Sequence, residues 1–199
     1  MKQTLITLAV ALCCGFAGSA VAAGAGMSKA DYKTQKDQIA ADYKAAKDKC
    51  GPLKDNAKDI CKAEANGKYD VAKAGLEEQY QPSPRHEAKV KTEKAEADYK
   101  VARQKCDDSS GNAKDVCKQD AKAAYITAKA DAKATRVGEE KGPNSAAAMG
   151  ARKDANNDTN EAQYTAAKER CDAAFANRAT STPEKDNCIS DARKKFGKM

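Results

Sequence analysis

The sequence is poor in the large apolar side chains from which a protein core is usually built. It contains no tryptophan, three phenylalanines and one histidine, and aromatic residues make up 5% of its 199 positions. Few large aliphatic residues remain beyond the N-terminal segment, which excludes a large core and approaches the composition of disordered chains. Alanine, lysine and glutamate are nonetheless strong helix formers, and tyrosine and cysteine recur at helical spacing. The composition therefore favours helices that are held together by something other than a deep core.

The single histidine, His86, limits the chemistry that the chain can perform. A metal site at His86 would need further ligands, and the sequence has no second histidine and no cysteine left free to join it, which favours an exposed linker residue. The sequence shows no set of residues that assembles a histidine-based catalytic triad. The cysteines that recur in the chain are separated by ten or sixteen residues, unlike a Cys-x-x-Cys redox centre. Three carboxylates precede a lysine by four residues, as in solvated helix pairs: Glu64 and Lys68, Glu96 and Lys100, Asp191 and Lys195. We therefore predict a non-enzymatic protein without metal or cofactor.

Residues 1–23 have the pattern of a secretory signal peptide. One lysine precedes an apolar run over residues 5–16, and small residues surround Ala22 and Ala23. The run is shorter than the roughly 20 residues that span a bilayer, which disfavours a membrane anchor. Lipid attachment at Cys14 is disfavoured too, because the residues before it depart from a lipobox. We expect cleavage near Ala22 or Ala23, a periplasmic location and no transmembrane segment after cleavage.

Two short patterns recur three times in the rest of the chain and predict amphipathic helices. In the first, tyrosine stands seven residues before cysteine with an alanine between them on the same helical face. In the second, cysteine, alanine and an aromatic residue follow at steps of four. One copy of the first pattern followed by one copy of the second forms a unit, and each unit is predicted to be a pair of helices that each have one apolar face. The residues expected to pack inside these hairpins are Tyr43, Tyr69, Leu76, Tyr99, Tyr125, Tyr164 and Phe196.

The same repeat predicts which cysteines are joined. Removal of the leader leaves six cysteines in an oxidising compartment, where disulfides are the default. The end of one helix and the start of the next each carry one cysteine, which predicts the pairs Cys50–Cys61, Cys106–Cys117 and Cys171–Cys188. Such a loop closure contributes about 3 kcal/mol in the chain-entropy model. The cystines therefore replace the missing core.

Turn and capping residues set the expected boundaries of three hairpins. Asn56, Asn112 and Thr182 can each cap the second helix of a unit. We predict an all-α protein of about six helices, either elongated or loosely bundled. Its expected parts are a first hairpin over 28–81, a second over 85–136, a flexible linker over 137–155 and a third hairpin over 156–199.

The charge of the chain indicates what its surface can bind. The formal net charge is +7, and removal of Lys2 with the leader reduces it to +6. Lysine-rich helices outside the cytoplasm can bind the envelope polyanions peptidoglycan and lipopolysaccharide, or an envelope protein. Export and the acidic residues interspersed among the lysines disfavour nucleic acid. A surface that is charged only for solubility is the competing interpretation.

The repeated blocks "ADYK…KC" and "GNAKDVCK" resemble a family of small exported proteins of Gram-negative bacteria. Some members of that family are labelled cell envelope biogenesis protein TolA. The resemblance covers nearly the whole chain after the leader and implies an envelope location, but no established activity. The chain is similar to TolA itself only through an Ala/Lys-rich helical section. This similarity assigns no functional residue of TolA to any position of the chain.

Two functional hypotheses follow from these patterns. The first is a non-enzymatic structural, spacer or binding protein of the periplasm or cell envelope, whose cystines hold its shape. The second is a periplasmic chaperone or stress-response protein, whose paired helices hold unfolded clients or metal.

Overall fold

The structure, a computed structural model, describes residues 26–176 and 182–198. This part of the chain forms six helices and no strands. The predicted signal peptide, its cleavage near Ala22 or Ala23, and Cys14 lie outside the described residues. The helices are α1 (Lys29–Lys49), α2 (Asp55–Tyr80), α3 (Pro84–Cys106), α4 (Gly111–Lys141), α5 (Ala146–Ala174) and α6 (Pro183–Lys195). The predicted all-α fold of six helices is confirmed.

Polar side chains cap four of the six helices. Ser28, Ser83, Ser145 and Thr182 each accept a hydrogen bond from a backbone N–H three residues on. Such a bond satisfies a donor that has no partner within the helix. The prediction for Thr182 is confirmed.

The predicted asparagine caps of α2 and α4 are wrong. Each of these helices begins one residue before its asparagine, and neither has a side-chain capping bond. Asn56 instead donates from Nδ2 to the carbonyl oxygen of Gln104 at 2.8 Å and to Asp108 Oδ1 at 2.7 Å. These bonds join the start of α2 to the end of α3, and therefore the first hairpin to the second.

The helices form an open, antiparallel array rather than a closed bundle. Among the described residues, each helix contacts only the helices that precede and follow it in the chain. Cystines join α1 to α2, α3 to α4, and α5 to α6. Because consecutive helices run in opposite directions, the three cystine turns lie at one end of the array. Each hairpin of the described residues therefore packs only on the hairpins next to it in the chain.

Small side chains form the contacts between hairpins. Between α4 and α5, alanines make up two buried clusters, with Val137 packed on one and Ile126 on the other. Between α2 and α3, Gly67 lies against Ala97 so closely that a Cβ on Gly67 would stand 2.6 Å from the Ala97 Cβ. The clustered alanines are Ala123, Ala130, Ala134, Ala151, Ala155, Ala162 and Ala166. Helices therefore approach closely where large side chains are absent.

The structure differs from the predicted flexible linker over 137–155. Helix α4 continues to Lys141 and α5 begins at Ala146, so only residues 142–145 connect them. The physical reason is the packing of Ala151 and Ala155 against α4, which stabilises the first turns of α5. Asparagine and glycine in this stretch suggested a loop, whereas the alanine face overrides their low helix propensity.

Candidate polyanion-binding face

Each hairpin is closed by the predicted disulfide. The Cα atoms lie 5.6 Å apart in Cys50–Cys61, 5.6 Å in Cys106–Cys117 and 5.9 Å in Cys171–Cys188. The cysteines that end α1, α3 and α5 are almost fully buried. All six cysteines of the described residues are thus bonded, which leaves this part of the chain no thiolate for a redox reaction or a metal.

Stacked tyrosines lie two helical turns from the first two cystines. The ring centroids of Tyr43 and Tyr69 are 4.4 Å apart, and those of Tyr99 and Tyr125 are 5.0 Å apart. The structure therefore brings together the tyrosines that the repeat pattern marked as packing residues. It adds a pair that the prediction missed, Tyr32 and Tyr80, whose centroids are 4.5 Å apart. Their positions at the far end of α1 and α2 continue the same helical stripes.

The other predicted packing residues occupy less uniform surroundings. Leu76 is 3% exposed and is the only large aliphatic residue among the buried residues that the structure describes. The hydroxyl of Tyr164 accepts a hydrogen bond from Arg193 Nε at 3.3 Å, which joins α5 to α6. Phe196 is half-buried, with the ammonium of Lys195 5.3 Å from its ring centroid.

A cation lies over each ring of the two stacked pairs, four residues after the tyrosine. Its distance from the ring centroid is between 5.0 and 5.7 Å. This separation is within the range of cation–π attraction. The four pairs are Lys47 on Tyr43, Lys73 on Tyr69, Arg103 on Tyr99 and Lys129 on Tyr125.

A strongly basic cavity of about 530 Å³ opens between α3, α4 and α5. Its floor includes Ala88, Tyr125 and Ile126, and Asp158 is the one carboxylate that lines it. Five cations line the same cavity: Arg85, Lys89, Lys129, Lys133 and Arg136. Arg136 forms an ion pair with Glu140 at 2.7 Å, and the other four have no ion-pair partner among the described residues. The cavity is therefore a region of unneutralised positive charge.

A second cavity, of about 610 Å³, lies between α1, α2 and α3. It is lined by Tyr43, Tyr69, Lys62, Lys100 and Arg103, with Asp59 and Asp70 as its carboxylates. The α3 residues that line the two cavities are 85, 88, 89, 92, 100, 103 and 104. At about 100° per residue these positions fall on one side of the helix. Both cavities thus open on the same side of the array, which we call the basic face.

The opposite side of α2 and α3 carries a groove with a different lining. Its volume is about 690 Å³, and its floor is apolar, with Gly67, Val71, Ala97 and Val101. Charges at its rim are largely neutralised, since Lys94 pairs with Asp98 at 2.6 Å and Lys105 lies 3.9 Å from Glu64. The groove therefore carries less unneutralised positive charge than the cavity between α3, α4 and α5.

The three predicted ion pairs have different outcomes. Glu96 and Lys100 pair at 2.8 Å, as predicted. The other two predictions are wrong, because Glu64 lies nearest Lys105 of the next helix and Asp191 lies 3.6 Å from Lys194.

Two carboxylates tie successive helices together through lysines. Asp107, at the end of α3, accepts hydrogen bonds from Lys114 and Lys118 of α4, which lower its pKa to about 2. Asp172 of α5 bonds Lys168 at 2.7 Å and Lys185 of α6 at 2.8 Å, and these bonds lower its pKa. The bond to Asp172 also raises the pKa of Lys168.

Residues 26–176 and 182–198 contain neither a cluster of metal-ligating groups nor a membrane-spanning helix. No cluster of three or more His, Cys, Asp or Glu residues there could hold a metal ion. None of the helices in residues 26–176 and 182–198 combines the length and apolarity needed to cross a bilayer. The ring Nδ1 of His86 lies 2.6 Å from the carbonyl oxygen of Gln81, so this histidine bonds the connection between α2 and α3.

Comparison with known proteins supplies no relative: no family model, curated protein or solved structure matches this chain. The functional assignment therefore depends on the chemistry of its surfaces.

Proposed function

We propose that this chain is a non-enzymatic protein of the periplasm that binds anionic polymers of the cell envelope, peptidoglycan first among them. The observation that carries the proposal is the basic cavity between α3, α4 and α5, where four of five cations have no ion-pair partner among the described residues. Such cations attract a polyanion and can form charge-assisted hydrogen bonds with its carboxylates. The cystines stabilise the array that presents them.

Co-sedimentation of the purified oxidised protein with peptidoglycan sacculi tests the proposal. We expect binding that persists at roughly 0.5 M salt, where charges are screened beyond a few Å. Each charge-assisted bond contributes about 1.5 kcal/mol, which is about tenfold in affinity, so the double variant Lys89→Ala/Lys133→Ala should weaken binding about 100-fold. Lys68→Ala/Lys105→Ala removes the same charge from the opposite groove and should bind like the wild type.

Three results would count against peptidoglycan binding. They are absence of the wild type from the pellet, equal weakening in both double variants, and preference for lipopolysaccharide vesicles over sacculi. Binding that disappears with moderate salt would favour the spacer or chaperone hypothesis, for which the apolar α2–α3 groove is the relevant surface.

A further inference from the structure

The first two hairpins carry the same side-chain cluster, one repeat apart. Tyr99 and Tyr125 follow Tyr43 and Tyr69 by 56 residues, and the cations over their rings are offset by the same 56 residues. The cystines repeat with this offset too. Each cluster is therefore two stacked tyrosines with two cations, held at the same distance from a cystine.

The four cations of these clusters share a second property. None of them has an ion-pair partner among the described residues, although the chain carries 29 carboxylates. All four are exposed, so their charges are open to solvent while each lies over a tyrosine ring. The cations are Lys47, Lys73, Arg103 and Lys129.

The third hairpin repeats the sequence pattern, but its equivalent lysine is paired with a carboxylate. Lys168 stands four residues after Tyr164, as Lys47 does after Tyr43. Its ammonium is bonded to Asp172 at 2.7 Å, and Asp172 is also bonded to Lys185 of α6. Among the described residues, the cation four residues after the first tyrosine is thus unpaired in the first two hairpins and paired with a carboxylate in the third.

Both clusters contribute to the basic face. Tyr43, Tyr69 and Arg103 line the cavity between α1, α2 and α3, whereas Tyr125 and Lys129 line the cavity between α3, α4 and α5. Equivalent residues of the two hairpins are two helices apart. Since packed helix axes are 8–10 Å apart, the two clusters are separated by roughly 16–20 Å.

We propose that the two tyrosine–cation clusters are equivalent subsites that are occupied together by one anionic polysaccharide chain. This inference rests on the proposed function and names the ligand of the basic face by its chemistry. Exposed cations without a carboxylate partner suit the repeated carboxylates of an acidic polysaccharide. A stacked tyrosine has one face covered by its partner, which makes it a poor platform for intercalating nucleotide bases.

Binding of two linked subsites by one chain has a measurable consequence. The second contact is intramolecular, so a chain long enough to reach both clusters binds about 10²-fold or more tighter than a fragment that reaches one. Titration calorimetry with glycan chains from sacculi, and with the disaccharide fragments of the same chains, measures this ratio. We expect two fragments bound per protein and one chain bound across both subsites.

Variants of each cluster separate the subsites. Lys47→Ala/Lys73→Ala and Arg103→Ala/Lys129→Ala should each reduce the affinity for the chain to about that for the fragment and leave one fragment site. Exposed helical lysine and arginine tolerate alanine, the strongest helix former, so the fold is retained. Lys168→Ala is the matched control in the third hairpin and should leave both affinities unchanged.

The outcomes distinguish this inference from the proposed function. Two results overturn the two-subsite inference while sacculus binding stands. One is equal affinity for the chain and the fragment, and the other is weaker chain binding in only one of the two double variants. Tighter binding of single-stranded DNA of matched charge overturns the polysaccharide assignment. Absence of any binding to sacculi by the wild type overturns both.

Discussion

Gly67 shows how single residues set the spacing of this array. A helix interior normally disfavours glycine by about 0.5–1 kcal/mol relative to alanine. At Gly67 the missing Cβ is what allows α2 to approach Ala97 of α3, because a Cβ there would stand 2.6 Å from the Ala97 Cβ and 3.2 Å from its Cα. The glycine is therefore a packing residue rather than a helix breaker.

We predict that Gly67→Ala destabilises the protein by about 1–3 kcal/mol, because the added methyl group forces α2 and α3 apart. Gly75→Ala is the matched control on the same helix, since a Cβ at Gly75 meets nothing within 4 Å. It should stabilise the protein by about 0.5–1 kcal/mol. Urea unfolding followed by circular dichroism measures both. A Gly67→Ala protein as stable as the wild type would contradict this account of the α2–α3 contact.

Between elements, charged side chains replace the apolar contacts that a larger core would supply. Asp107 of α3 holds Lys114 and Lys118 of α4 at 2.9 Å each, next to the second cystine. Asp172 joins α5 to α6 in a similar way beside the third. Each cystine turn after α3 and α5 is thus accompanied by a carboxylate between two lysines.

The lowered pKa of Asp107 predicts how stability depends on pH. The folded state favours the ionised form of Asp107, so the contribution of this group to stability is present above the ordinary pKa of 3.8 and is lost as the pH falls through about 2. We expect Asp107→Asn to melt below the wild type at pH 7 and much closer to it near pH 2, where about half of the Asp107 carboxyl groups are protonated in the folded protein.

A series of thermal melts between pH 7 and pH 2 tests this expectation. Asp42→Asn serves as the control. In the wild type, Asp42 lies on exposed α1 and accepts a hydrogen bond from the neutral side chain of Gln38. A wild-type advantage over Asp107→Asn that is unchanged at pH 2 would show that the Asp107 pair does not titrate as described.

In the whole molecule, stability is unevenly distributed because the array is open. Helices α2 to α5 each contact two neighbours, whereas α1 and α6 contact one. No residue of α1 is buried, and Ala192 is the only buried residue of α6. The terminal helices therefore depend most on their cystines, each of which contributes about 3 kcal/mol.

We predict that Cys50→Ser/Cys61→Ser releases α1 and that Cys171→Ser/Cys188→Ser releases α6, while α2 to α5 stay folded. Hydrogen exchange followed by mass spectrometry should show rapid exchange confined to the released helix. Cys106→Ser/Cys117→Ser is the comparison, because α3 and α4 also have neighbours on their other sides. The Cys106→Ser/Cys117→Ser variant should have a lower global stability, and neither α3 nor α4 should exchange rapidly on its own. Full protection of α1 in the first variant would contradict this description.

Local spacing in the sequence determined the helices, the cystine pairing and the tyrosine partners of the first two hairpins. Cysteines separated by 11 or 17 positions and tyrosines two turns from them are constrained within one hairpin, where the period of the helix already decides which faces meet.

Only the tertiary structure decided how the hairpins combine. Alanine is compatible with both exposed and buried positions, so nothing local marks Ala151 and Ala155 as a contact face or extends helix through the predicted linker. Two further contacts depend on residues of the next hairpin and could not be predicted locally. Glu64 pairs with Lys105 instead of Lys68, and Asn56 bonds the carbonyl oxygen of Gln104 instead of capping α2. The sequence determines the net charge but not where the charges lie. The packing of α3 between α2 and α4 places unpaired cations together on one side of the array.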